Sequence, residues 1–260
     1  MLTFFAAHRW TLITGALLLG AVFTYGIRVG STSVLSSDLM VFHEGLGILA
    51  LVVSLAAGVL SLDFVEHIRE RHVVSVRTRT RLSRYLRRLA VRRATIAFTL
   101  TSVVVLLWYF STLALPAVLG WDTNNGKYYA GSGSSAAQVD IQSSFLGPLI
   151  GVSPVLYAVV LAVMIGVWAA VATVTCCVCA LWTPWPLIGL LMPFVATQLD
   201  NIVLGLMRLE AFRSMNLIAP WILSKVRLWE ILPAAAFYLL IPIVLWALLA
   251  RRRFEIGSLL

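Results

Sequence analysis

The side chains best suited to chemistry in this sequence are three closely spaced cysteines, Cys176, Cys177 and Cys179, inside an apolar run. Thiolates at suitable spacing bind zinc. On a helix these three thiols would point in different directions, and no histidine is near. Their odd number and the lack of a distant partner also argue against a disulfide framework. We therefore expect them to pack within their apolar segment.

A nucleophilic serine and a nucleotide site are the next possibilities. The stretch Gly131-Ser132-Gly133-Ser134 has suitable residue types, but no base is near it. An intramembrane protease would need a histidine inside a span, and the four histidines, His8, His43, His67 and His72, are not deep in one. The chain also lacks the G-x-x-x-x-G-K-[ST] loop that cradles phosphates. We expect no catalytic residue, cofactor or metal in this chain.

An acid with two amides, Gln198, Asp200 and Asn201, lies in an otherwise apolar run. An ionisable residue at membrane depth is costly and suggests a role. One interpretation is the lining of a translocation path. The others are a hydrogen-bond cluster between helices, or a position of Asp200 close to the outer interface. The sequence leaves all three open.

The composition decides which elements must position these groups. The 260 residues are 60% hydrophobic and only 12% charged, with a mean hydropathy of +0.94. A single soluble core cannot bury so much apolar surface, so the chain is predicted to be an integral membrane protein. In a membrane protein, a net charge of +9 is first interpreted as a signal of topology. We therefore do not expect nucleic acid as a partner.

Apolar windows of about 20 residues predict an all-α fold of six transmembrane helices in one domain. Two prolines break the uncharged region 141–199 at Thr183-Pro184-Trp185-Pro186, because they remove backbone donors. Pro193 predicts a kink in the fifth span. The predicted spans are residues 10–27, 45–62, 94–120, 152–181, 187–207 and 231–250.

The basic residues orient these spans. Six spans put both termini on one side, and that side holds fourteen of the twenty Lys and Arg residues. The positive-inside rule then makes the termini cytoplasmic. Residues 121–140 are predicted to form a polar outer loop. Residues 208–230 carry an apolar centre too short to span, which predicts a re-entrant or interfacial outer segment.

The stretch from Arg77 to Arg93 contains eight arginines in seventeen residues. Leu82, Tyr85, Leu86 and Leu89 recur at helical spacing, so we predict a short amphipathic helix that leads into the third span. Residues 74–81 are predicted to be a bend or extended link. The basic block either anchors topology on anionic lipid headgroups or docks a partner. The long cytoplasmic segment 64–93 favours docking. The arginines and tyrosine on this helix are Arg84, Tyr85, Arg87 and Arg88.

The segment LSLDFVEHIRERHVVSVRTRTRLSRYLRRLAVRRATIAF resembles the second cytoplasmic loop in membrane subunits of type-2 ATP-binding cassette exporters. In that family an acid ends the second span, a short coupling helix follows, and a basic S-R-x-x-Y-L-like segment leads into the third span. The matching residues here are Asp63, Ser83, Arg84, Tyr85 and Leu86. The six spans, the outer segment before the sixth span and the basic cluster after it are similar too.

This resemblance implies a bacterial plasma-membrane permease subunit that works with a second copy or a homologous permease. ATP and magnesium would bind a separate ATPase subunit. A cytoplasmic coupling helix between spans two and three would contact that ATPase through Glu66, Glu70, Val73, Val74, Ser75 and Val76. By the same analogy the second and fifth spans line the path, with candidates Glu44, Met192, Phe194, Gln198 and Asp200.

The substrate class implied is amphipathic or hydrophobic: a peptide, a lipid or a drug. A different hypothesis is a membrane scaffold or assembly factor that recruits a soluble partner through its basic loop without transport. A third, an ion-coupled transporter, would need more charges inside the membrane than Asp200 and Glu44 provide.

Overall fold

The computed structural model describes residues 2–32, 38–75, 79–114, 145–183, 185–219 and 227–251, and within these ranges the regular structure is helical, with no strand. A π-helical segment, Phe110–Ala114, extends α4, and two 3-10 turns, Glu210–Phe212 and Ser214–Leu217, precede α8. The α-helices are α1 (Leu2–Thr32), α2 (Asp38–Gly47), α3 (Leu49–Ser75), α4 (Arg79–Tyr109), α5 (Gly147–Val152), α6 (Pro154–Trp182), α7 (Pro186–Leu206) and α8 (Leu228–Arg251).

Five of these helices are long and apolar enough to cross a membrane. Their apolar segments are Leu49–Glu66, Tyr85–Thr112, Pro154–Trp182, Pro186–Leu206 and Leu228–Leu248, close to the predicted second to sixth spans. The first predicted span lies in α1, where the apolar stretch Arg9–Tyr25 is shorter. The membrane-protein class and the all-helical fold are therefore confirmed.

The predicted break at the two prolines is also confirmed, since α6 ends at Trp182 and α7 begins at Pro186. The Thr183 hydroxyl holds the turn by donating to the carbonyls of Cys179 at 3.1 Å and Trp185 at 3.0 Å. Pro186 occupies the first turn of α7, where its missing N–H leaves no bond unmade. The helix then continues through Pro193.

Helix α6 lies at the centre of the bundle and contacts α3, α4, α7 and α8. Tyr157, Leu161 and Ile165 on one face of α6 are almost fully buried. Val155, Val159, Val163 and Val167 recur every fourth residue and are exposed. Such an exposed apolar stripe is compatible with contact to lipid, because lipid chains are as apolar as these side chains.

Small residues let the helices around α6 approach closely. A Cβ at Gly166 would lie 2.9 Å from the Phe98 ring of α4, and one at Gly189 of α7 would lie 2.6 Å from Ala180 Cα of α6. The Ser102 hydroxyl of α4 donates to the Ala162 carbonyl of α6 at 3.0 Å. Membrane helices associate through such close packing and hydrogen bonds, because lipid supplies no hydrophobic drive between them.

The segment between the second and third spans differs from its prediction. Val74 and Ser75 belong to the last turn of α3, and Arg79 to Arg81 begin α4, so the predicted bend is wrong at these residues. Backbone hydrogen bonding along each helix continues past the apolar segment because nothing there breaks it. Residues 76–78 lie outside the described ranges. A separate coupling helix is therefore not seen in the described part of segment 64–93.

The segment after α7, which was predicted to lie on the outer side and is called the outer segment below, folds back onto the bundle. Arg208 adopts a left-handed conformation, with φ 58°, and its N–H and that of Leu209 bond the carbonyls of Gly205 and Leu204. This is the Schellman end of a helix, at a position where glycine is usual. The 3-10 turns that follow contact α7 and α8, and Ile218 and Ala219 are fully buried. Residues 121–140 and 220–226 of the predicted outer segments lie outside the described residues.

Candidate functional site

A buried ion pair joins α3 and α4 at the end of the bundle where their apolar segments meet the basic block. Asp63 of α3 pairs with Arg93 of α4, and their side chains are only 10% and 6% exposed. Buried side chains stay charged only when they are paired, because removing a charge from water is costly. The pair therefore fixes these two helices against each other at one depth.

The apolar face of α4 next to this pair packs on protein. Leu86, Leu89 and Ala90 are buried in one cluster with Phe64 of α3 and with the end of α6, at Cys177, Val178 and Leu181. Tyr85 is partly buried against the same cluster. We predicted an interfacial helix, but its apolar side contacts α6. The exposed side carries Arg87, Arg88 and Arg92, whereas the side chain of Arg84 lies outside the described residues.

Glu66, one of the predicted ATPase-coupling residues, is bound to α1. Its carboxylate accepts hydrogen bonds from Arg9 Nη2 at 2.6 Å and from Trp10 Nε1 at 2.9 Å. The two charged side chains are 56% and 33% exposed, so the ion pair alone stabilises little. Its effect is to place α1 beside α3. Glu70, Val73, Val74 and Ser75 lie on the last turns of α3, and their side chains and all of Val76 lie outside the described residues.

A cavity of about 180 Å³ lies between α6, α7 and α8. Its lining is mostly apolar, and it includes Met192, one of the predicted path residues. The rings of Trp168 and Tyr238 form one wall, edge to face with their centroids 4.9 Å apart. The remaining lining residues are Val171, Ala172, Thr175, Cys179, Pro193, Ala196, Thr197 and Ile241.

Asp200 lies beyond one end of this cavity, next to the folded-back outer segment. Its Oδ2 accepts a hydrogen bond of 2.8 Å from the backbone N–H of Ser214. The Tyr238 side chain lies beside Asp200, Thr197 and Ser214. Asp200 therefore joins α7 to the outer segment, so the helix-to-segment hydrogen bond is one of its roles. The side chain is partly exposed and remains accessible from one side.

The other predicted path residues are dispersed. Phe194 and Gln198 are partly buried on α7 and are not among the cavity's lining side chains. Gln198 Nε2 is buried without a hydrogen-bond partner in the described part of the chain. Glu44 lies on α2, and its side chain is outside the described residues. Of the predicted path residues, the structure thus places Met192 in the cavity lining and Asp200 about two turns further along α7.

The three cysteines face three different neighbours. The Cys176 thiol donates to the Leu190 carbonyl of α7 at 3.3 Å, and Cys177 Sγ lies 3.6 Å from the Ser61 hydroxyl of α3. Cys179 lines the cavity. Across the described residues no group of three His, Cys, Asp or Glu side chains could hold a metal ion. These thiols are used in helix packing.

Two polar pairs were missed at the sequence level. Asp63 and Arg93 are the first charged residues beyond the second and third apolar windows, so their equal depth could have been inferred. The other pair, His43 on α2 and Tyr157 on α6, is almost fully buried, with 2.6 Å between Nε2 and the hydroxyl. Nothing in the sequence links two residues 114 positions apart.

Comparison of the chain with protein-family models, with curated proteins and with solved structures finds no match.

Proposed function

We propose that this chain is the membrane-spanning permease subunit of an ATP-driven exporter of the ATP-binding cassette type. Helices α1, α3, α4, α6, α7 and α8 are its six spans, and both termini are cytoplasmic. A separate subunit binds and hydrolyses ATP with magnesium. The permease pairs with a second copy or with a homologous permease in the plasma membrane. It moves an amphipathic or hydrophobic substrate out of the cytoplasm.

The observation that carries this proposal is the helical hairpin formed by the ends of α3 and α4. Helix α3 continues to Ser75, nine residues beyond its apolar segment, which adds roughly 13 Å at 1.5 Å per residue. Helix α4 begins at Arg79, six residues before its apolar segment. A turn at the membrane surface would need neither extension. A projecting pair of helices supplies a surface that a soluble subunit can grip.

The hairpin is rigidly connected to the spans. Where its two helices enter their apolar segments, they are joined by the Asp63–Arg93 ion pair and pack on the end of α6, the central helix. A displacement of the hairpin by an ATPase would therefore be passed to α6 as a movement of packed elements and would not dissipate in a flexible loop. Packed cores change between discrete arrangements, which suits an alternating transporter.

Co-purification tests the proposal. The tagged chain is co-expressed with an ATPase subunit encoded next to it and extracted in mild detergent. We expect the ATPase to be retained and its ATP turnover to rise severalfold in the complex. A chain that never retains such a subunit contradicts the proposal and favours the scaffold function instead.

A hairpin variant makes this test specific. Replacement of Glu70, Val73, Val74 and Ser75 by alanine should abolish the stimulation of ATP turnover without loss of membrane insertion, because these residues lie at the tip of α3. Arg92→Ala is the matched control, since Arg92 is exposed on α4 close to the bundle. Equal stimulation by both variants would exclude the tip as the contact.

A further inference from the structure

The cavity between α6, α7 and α8 lies inside the apolar segments of all three helices. Its volume of about 180 Å³ exceeds that of the engineered apolar cavity of about 150 Å³ that binds benzene. A ring or a short hydrocarbon chain would therefore fit. The two aromatic rings of Trp168 and Tyr238 offer an edge and a face against which a ligand ring can pack.

An acidic group, the Asp200 carboxyl, lies beyond one end of the cavity. Thr197 lines the cavity, and Asp200 follows one turn later on α7, about 4.5 Å along the helix axis. Tyr238, which also lines the cavity, lies beside Asp200. The apolar cavity thus ends close to the carboxyl group of Asp200.

No cation of the described residues neutralises Asp200. The nearby Arg213 is paired with Glu210 at 3.1 Å, and the hydrogen bond to Asp200 comes from the Ser214 N–H, a neutral donor. A carboxylate near low-dielectric surroundings gains much more from a cation than the same group in water. The geometry of the described residues therefore leaves Asp200 able to pair with a positively charged ligand.

We propose that this cavity binds apolar amines. The hydrocarbon or aryl part of the ligand occupies the space between α6, α7 and α8, and its ammonium group pairs with Asp200. The chemistry excludes an anionic headgroup at this position, because it would meet a carboxylate of the same sign. As the site of an exported substrate this inference rests on the transport function proposed above, whereas binding itself does not.

Binding of a matched pair of small probes tests the inference. The chain alone, without an ATPase, is reconstituted in lipid nanodiscs, and empty nanodiscs give the baseline for partition into lipid. The probes are 4-phenylbutylamine and the neutral 4-phenylbutan-1-ol. We expect the amine to bind at least tenfold more tightly than the alcohol. Equal affinities, or no binding above the empty nanodiscs, would overturn the proposal.

Asp200→Asn locates the cation. The amide oxygen can still accept the bond from Ser214, so the outer segment stays in place. The variant should lose at least tenfold in affinity for the amine and keep its weak affinity for the alcohol. An unchanged affinity for the amine would show that Asp200 is not its partner.

Ala196→Trp locates the apolar part of the site. Ala196 lines the cavity and is otherwise exposed, so a large ring fills the cavity without disturbing the core. The variant should lose binding of both probes. Ala236→Trp on α8 is the matched control, because Ala236 is exposed and is not part of the lining. If both variants bind the amine as the wild type does, the ligand lies elsewhere. Because no ATPase is present, failure of this test leaves the transport proposal standing, and the reverse also holds.

Discussion

At the scale of single residues, the most informative feature is a charged pair in an apolar bundle. Asp63 and Arg93 are each almost fully buried, and their pairing offsets the cost of removing both from water. Glu66 shows the opposite case, because it binds α1 through a partly exposed contact that salt and water weaken. The two acids lie three residues apart on α3 and have different roles.

Asp63→Asn should destabilise the protein strongly. It leaves Arg93 buried without a countercharge, and loss of one partner of a buried ion pair costs about 3–5 kcal/mol. Thermal unfolding in detergent, followed through tryptophan fluorescence, measures the effect as a lowered Tm.

The double variant Asp63→Leu with Arg93→Leu separates pairing from simple disruption. It removes both charges and should recover most of the lost stability, because apolar residues replace the pair without leaving a buried charge. Arg92→Ala, one residue from Arg93 but exposed, should leave Tm nearly unchanged. If the double variant had a Tm as low as that of Asp63→Asn, the loss of stability would not come from an unpaired buried charge.

At the scale of elements, close packing around α6 decides how the helices associate. Gly189 of α7 lies against the backbone of α6 at Ala180, and Gly58 of α3 lies against the Leu190 carbonyl of α7. Backbone atoms cannot move aside as a side chain can. The turn between α6 and α7 is short, so this contact also holds one wall of the cavity in place.

Gly189→Ala should lower stability by about 1–3 kcal/mol, the usual cost of overpacking. The added methyl group would lie 2.6 Å from Ala180 Cα, so α6 and α7 must separate. The measurement is the shift in Tm in detergent.

Gly20→Ala on α1 is the matched control for this substitution. A Cβ at Gly20 meets nothing within 4 Å, so the only effect is the better helix propensity of alanine, about 0.5–1 kcal/mol in the stabilising direction. The two substitutions should therefore shift Tm in opposite directions. Shifts of the same sign would contradict close packing of α6 and α7.

At the scale of the whole molecule, coverage of the helices is uneven. The apolar segments of α3 and α6 are 61% and 50% buried, whereas those of α7 and α8 are 22% and 17% buried. The side of the bundle that carries the cavity is therefore the less covered one, and it is the side where the proposed second permease or lipid would pack. The arginine-rich hairpin projects from the end of the bundle where α6 meets α7.

The proposed orientation predicts which residues an impermeant thiol reagent reaches in intact cells. In a background with the three native cysteines replaced by alanine, Ser132→Cys in the predicted outer loop should be labelled from outside. Arg87→Cys on the hairpin should be labelled only after permeabilisation. The reverse pattern would place the termini outside and would contradict the positive-inside assignment.

The sequence by itself determined the membrane class, the approximate positions of the five long apolar helices and the turn at the two prolines. These features depend on local properties: the summed hydropathy of about 20 residues and the missing donor of proline. It also predicted that Arg87 and Arg88 avoid the apolar face of their helix, since helical spacing alone separates the faces. The same local pattern could not show that this face contacts α6, because an amphipathic helix can bury its apolar face either at the membrane interface or against protein.

Only the tertiary structure decided which side chains meet. The pairing of His43 with Tyr157, the bond from Ser214 to Asp200 and the cavity beside Met192 depend on how each helix is rotated about its axis. Rotation is set by close contacts such as those at Gly166 and Gly189, where a fraction of an ångström matters. Hydropathy contains no such information, so the sequence could suggest Asp200 as a candidate but could not place it at the end of an apolar cavity.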